Sequence, residues 1–85
     1  MGPEKRAHIR RSVLQRARIA PVDGSSPKEC LMIEVSAGGA RLQLATSEPL
    51  PDRFFLILSR DGALRRLCSV AWQKRDKAGV QFVFG

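Results

Sequence analysis

The sequence is poor in the residues that build most small active sites. It has one histidine, His8, and two cysteines, Cys30 and Cys68. A tetrahedral zinc site needs two ligands beyond such a pair, which excludes zinc as a structural staple. Two thiols in a chain without a leader are expected to be reduced rather than bridged. No apolar run approaches the roughly 18 residues of a membrane-spanning helix, so no membrane partner is expected. The basic start Met1-Gly2-Pro3-Glu4-Lys5-Arg6 is followed by no apolar h-region, so no secretory signal is expected either. Tyrosine is absent, and no aromatic residue precedes Phe54. No nucleophile–base pair and no spaced carboxylate pair stands out, so the chain does not read as an enzyme. There is no internal repeat and no low-complexity segment.

What is present is basic charge, unevenly placed. The net charge of the 85 residues is +7. Residues 1–18 hold Lys5, Arg6, Arg10, Arg11, Arg16 and Arg18 against Glu4 alone, a net +5 that leaves +2 for the rest. A basic arm on a nearly neutral body implies either an anionic partner or a solubilising tail, and composition leaves both open. The length suits one domain with a modest core.

The hydrophobic pattern is that of short strands. Residues 1–15 lack a period, with Ile9, Val13 and Leu14 left to anchor a loop or a short helix. A first strand is expected over Arg16 to Val22, closed by the turn Asp23-Gly24-Ser25-Ser26-Pro27. Glu29 to Val35 alternates, with Leu31, Ile33 and Val35 on one face and Cys30, Met32 and Glu34 on the other. Ala40 to Leu44 follows, with Leu42 and Leu44 inward. Pro49 and Pro51 forbid a regular ladder between Thr46 and Asp52. Phe54 to Leu58 is apolar throughout, as for a strand covered on both sides, and Asp61-Gly62 marks a hairpin. Leu64 to Trp72 and Ala78 to Phe84 are the last strands, joined by a charged turn over Gln73 to Lys77. In this reading Val80, Phe82 and Phe84 share one face. Five or six short strands without a good helix predict an all-β, small antiparallel barrel, whose closure protects strand edges.

The stretch Glu34-Val35-Ser36-Ala37-Gly38-Gly39 joins two of these strands. It places a carboxylate, a hydroxyl and a glycine at positions one, three and six of a tight turn. Gly38 and Gly39 permit positive φ and close approach of a ligand to the backbone. Arg6 and Arg10, four apart in the arm, read as the other half of one anion site. The plainer alternative for Glu34 is an exposed ion pair with Arg10 or Arg41, contributing about 0–1 kcal/mol. Ser36 and Gly39 could then be turn residues only. Trp72 reads as a core or barrel-rim residue rather than a stacking platform, and His8 as a solvated loop residue.

These residues resemble the PilZ domain family. Arg6-Ala7-His8-Ile9-Arg10 is similar to its RxxxR motif, and Glu34 to Gly39 is similar to its Asp/Asn-x-Ser-x-x-Gly motif, with Glu at the first position. Gly39-Ala40-Arg41-Leu42 running into a strand, Val70-Ala71-Trp72, and Gly79-Val80-Gln81-Phe82 resemble the rest of the pattern. The resemblance implies a six-stranded antiparallel barrel, a bacterial and cytoplasmic setting, and cyclic di-GMP as ligand, with no cofactor. It implies a basic arm over residues 1–15 and a barrel over residues 16–85; the C-terminal helix that many members add is expected to be absent, since the sequence stops at Gly85 right after the last strand. By the same resemblance, Arg6 and Arg10 contact guanine and phosphate, with Arg11 as helper. Glu34 accepts from guanine N1–H and N2–H, Ser36 bonds base or phosphate, and Gly39 lets the backbone approach. Ligand is expected to order a self-repelling arm and to pass the signal to an unidentified effector protein.

The longer Glu34 side chain shifts its carboxylate by about 1.5 Å relative to Asp. That feeds a second reading, a PilZ-like protein-interaction adaptor that binds no nucleotide. A third, a nucleic-acid-binding barrel, is disfavoured because such barrels stack bases on strand aromatics, which the first half of the chain lacks. Polyelectrolyte binding would also collapse with salt, whereas a two-phosphate ligand responds less.

Overall fold

The structure is a computed structural model and describes residues 11–84. Six strands follow in order: β1 Arg11–Pro21, β2 Lys28–Val35, β3 Gly39–Leu44, β4 Arg53–Ile57, β5 Arg65–Lys74 and β6 Lys77–Phe82. They close into an antiparallel barrel in the spatial order β1-β2-β3-β6-β5-β4. Among the described residues there is no helix. The all-β barrel predicted from the pattern is the fold observed.

The interior is built from alternate residues of every strand. Ala17 and Ile19 come from β1, Cys30 and Met32 from β2, Leu42 and Leu44 from β3. Phe54 and Leu56 come from β4, Cys68 from β5, and Ala78, Val80 and Phe82 from β6. No polar or charged side chain is buried among the described residues. Each large apolar side chain so buried stabilises the fold by about 1.5–3 kcal/mol before entropy is counted. Burial also pushes the Cys30 thiol up to about 12 and the Cys68 thiol up to about 11, because a thiolate would lose its hydration there. Both cysteines are free, as expected, and both are buried.

The loops follow their residues. Gly24 takes φ 88° in the β1–β2 turn, where Asp23 Oδ1 accepts from the Ser25 N–H at 2.8 Å. Gly62 takes φ 78°, and Asp61 accepts there from Ser59 Oγ and the Ala63 N–H. The proline-bearing β3–β4 loop cannot form a ladder, and Gln73 bridges it instead. Its Nε2 donates to the Glu48 carbonyl at 2.8 Å, and its Oε1 accepts from the Leu50 N–H at 2.9 Å. The last hairpin turns on Arg75 and Asp76 alone, with Arg75 at φ 58°, so the charged turn is shorter than the sequence suggested.

Four expectations need correction. β1 begins at Arg11, five residues before Arg16, because it carries an irregularity between Ser12 and Gln15 that hides its period. Glu34 does not share a face with Cys30 and Met32, because β2 bulges between Met32 and Glu34 and the alternation shifts by one residue. β4 is covered on its inner face only. Phe55 and Ile57 are half-buried outside the barrel, with the Arg65 guanidinium 4.9 Å from the Phe55 ring centroid. Phe84 lies beyond the end of β6 and is exposed, although its ring stands edge-on to Phe82 with centroids 6.4 Å apart.

Candidate functional site

The β2–β3 turn is held shut by its own backbone. The Ser36 N–H donates to the Gly39 carbonyl at 2.8 Å, and the Phe82 N–H of β6 donates to the Gly38 carbonyl at 2.8 Å. Neither Gly38 nor Gly39 has positive φ, contrary to the expectation for this turn. Gly39 is required for another reason. A Cβ there would overlap the Val80 carbonyl oxygen of β6, because the two strands approach at that point.

Three register relations then form a row across the outer wall. Glu34 of β2 pairs with Arg41 of β3, Arg41 with Gly79 of β6, and Gly79 with Trp72 of β5. Arg41 faces outward because its neighbour Leu42 is buried within. Glu34 and Trp72 join it through bulges. β2 has one extra residue between Met32 and Glu34, and β5 has one extra residue, Ala71, between Val70 and Trp72. A bulge of this kind re-aims the side chain that follows it. The Trp72 indole lies directly on Gly79, where a Cβ would overlap its ring. It remains 44% exposed.

Glu34, Ser36, Gly39, Arg41 and Trp72 line one hollow of about 360 Å³, completed by Gly79, Val80 and Gln81. Glu34 and Arg41 form an ion pair at 3.7 Å, beyond hydrogen-bond length. Of the two ion pairs considered from the sequence, the one with Arg41 is present, and Arg10 lies outside the described residues. The Ser36 hydroxyl is 3.5 Å from the Gly39 carbonyl. Among the described residues, no three Cys, His, Asp or Glu side chains are grouped as a metal would require. The hollow offers an acceptor carboxylate, a hydroxyl, a guanidinium and an aromatic face. That set suits a planar heterocycle carrying N–H donors and anionic groups.

The sequence-predicted residues divide into two groups. Glu34, Ser36 and Gly39 come together as expected. Arg11 opens β1 with its Cα opposite that of Val35, so the chain enters the barrel beside the Glu34 turn. Arg6 and Arg10 lie outside the described residues. Sequence reasoning missed the β5–β6 half of the hollow, namely Trp72, Gly79 and Gln81. The signal for it is the pair of stretches Val70-Ala71-Trp72 and Gly79-Val80-Gln81-Phe82, which resemble the family pattern but read as scaffold.

No helix among the described residues is long and apolar enough to cross a membrane. No curated protein matches the sequence. The barrel is similar to the crystal structure of the PilZ domain of CeSA from a cellulose-synthesizing bacterium, with a TM-score of 0.73 at 16% identity. The match covers 91% of this chain and 82% of that one. At that identity the likeness speaks for the fold alone. The sequence itself decides the family: the PilZ domain model matches residues 4–85, nearly the whole chain, and the chain belongs to the PilZ domain family.

Proposed function

We propose that this chain is a cyclic di-GMP receptor that signals through a protein partner. The observation that carries the reading is the convergence of Glu34, Ser36 and Trp72 on one hollow, with β1 entering beside it at Arg11. In this reading the Glu34 carboxylate accepts from guanine N1–H and N2–H. Ser36 bonds a base or phosphate oxygen, and the Trp72 indole supports a base face, an arrangement contributing about 1–3 kcal/mol per stacked base.

Arg6 and Arg10 supply the charge the hollow lacks. Five residues span at most about 18 Å, so from Arg11 the segment has the reach to cross the hollow. Arginine forks bind phosphate oxygens or guanine O6 and N7 in pairs, and they also stack on a base. Closure of residues 1–10 over the ligand changes the surface offered to an effector protein, which is the signal. Fixing that segment costs conformational entropy, which the charge-assisted hydrogen bonds must exceed.

Calorimetric titration of cyclic di-GMP at physiological salt tests this, with GMP as control. Wild type is expected to saturate. Arg6→Ala/Arg10→Ala is expected to lose at least about 100-fold in affinity, since hydrogen bonds to charged groups contribute about 1.5–3 kcal/mol each. Wild-type protein that shows no binding, by heat or by a second method, would overturn the receptor reading and leave the adaptor.

A further inference from the structure

Resting on that reading of the hollow, we propose that Arg41 is itself a ligand-contacting residue, a guanidinium fixed on the barrel wall that binds a phosphate of the dinucleotide. The family motif ends at Gly39 and does not assign this position.

Among the described residues lining the hollow, Arg41 is the one cation and Glu34 the one anion. A carboxylate facing a doubly charged ligand without a nearby cation would repel it. Arg41 cancels that charge within the same row of the wall, one strand away.

Geometry adds a second reason. Arg41 carries five N–H donors, and its polar contact among the described residues is the 3.7 Å approach to Glu34, too long to be a hydrogen bond. Its side chain is 40% exposed, so donors remain available. On its β6 side the paired residue is Gly79, which has no side chain to block the approach. Beyond Gly79 lies the exposed Trp72 indole. A base resting near that indole and reading Glu34 would therefore lie beside Arg41, and its phosphate would find a guanidinium already placed.

Arg41 lies in the middle of a paired strand. Its Cα is fixed by pairing on both sides, with β2 and with β6. It serves as a preorganised cation on the barrel wall.

The test is a double-mutant cycle by calorimetry with cyclic di-GMP, using wild type, Arg41→Ala, Glu34→Gln and the double variant. Arg41→Ala is expected to weaken binding about 10- to 100-fold, the loss of one charge-assisted contact, and still to weaken it, by a smaller factor, in the Glu34→Gln background, where no carboxylate is left to cancel. Arg41→Lys, which keeps the charge and loses the fork, is expected to recover only part. An independent readout is the Arg41 Nε–Hε resonance, identified by its absence in Arg41→Lys, which should shift as ligand is added to wild type. This readout decides the matter if Glu34→Gln alone abolishes binding. A loss confined to the Glu34 background would mean that Arg41 only positions Glu34, and would overturn the proposal. Unchanged affinity of Arg41→Ala, or an unmoved resonance, would overturn it while leaving the receptor intact. A wild type that does not bind would overturn both.

Discussion

Gly39 and Gly79 sit on neighbouring strands and are glycine for different reasons. At Gly39 the obstacle to a side chain is backbone, the Val80 carbonyl, which cannot move without breaking the β3–β6 ladder. At Gly79 the obstacle is the Trp72 indole, a side chain that can rotate away. Gly39→Ala is therefore expected to destabilise the barrel by about 1–3 kcal/mol, the cost of overpacking a well-fitted site. Gly79→Ala is expected to displace the indole with a smaller loss. Urea unfolding gives the first quantity, and the fluorescence of Trp72, the sole tryptophan, reports the second. A fall in the urea midpoint as large for Gly79→Ala as for Gly39→Ala would contradict the distinction. A Gly39→Ala variant that fails to bind ligand thus says nothing about the ligand. Glu34→Gln and Ser36→Ala are the informative substitutions, because both side chains face the hollow and leave the core untouched.

At the scale of the element, the strands were legible because a barrel asks little of them beyond inward alternation. Leu42 and Leu44 inside, the proline-bearing loop before β4, and the Asp-Gly turns at Asp23 and Asp61 all follow from local chemistry. The bulges were not legible. Ile33 and Ala71 look like ordinary strand residues, and an extra residue is defined only against the partner strand. That is why Glu34 was assigned to the face of Met32, and why the start of β1 showed no period. The site was legible to the same extent. Glu34, Ser36 and Gly39 form a contiguous motif and could be read from the chain. Trp72, Gly79 and Gln81 are brought to them only by the register of β3, β6 and β5.

At the scale of the whole molecule, the barrel separates an apolar interior from a charged exterior, and the two thiols record that separation. Cys30 and Cys68 are pushed up to about 12 and about 11 by burial, with the charge of a Cys68 thiolate adding to the Cys30 shift. An unfolded thiol ionises near pH 8.5, so above that pH the unfolded chain releases protons that the native barrel retains. Their contribution to stability is whole below about pH 8.5 and is lost as pH rises through the folded values. The slope reaches at most about 1.4 kcal/mol per pH unit for each thiol. Urea unfolding between pH 7.5 and pH 10.5 is expected to show this decline, and Cys30→Ala to flatten it; an equal decline in both proteins would contradict it. The outer wall carries the functional claim, that one hollow on β2, β3, β6 and β5 takes cyclic di-GMP and that the N-terminal arginines close on it. The most direct test is a residue-resolved NMR titration of the full chain with cyclic di-GMP. The predicted result is a set of saturable shifts confined to residues 5–12, the stretch Glu34 to Arg41, and the amides and indole around Trp72 and Gly79. Shifts centred on the opposite wall, at Phe55 and Arg65, or no shifts at saturating ligand, would contradict it.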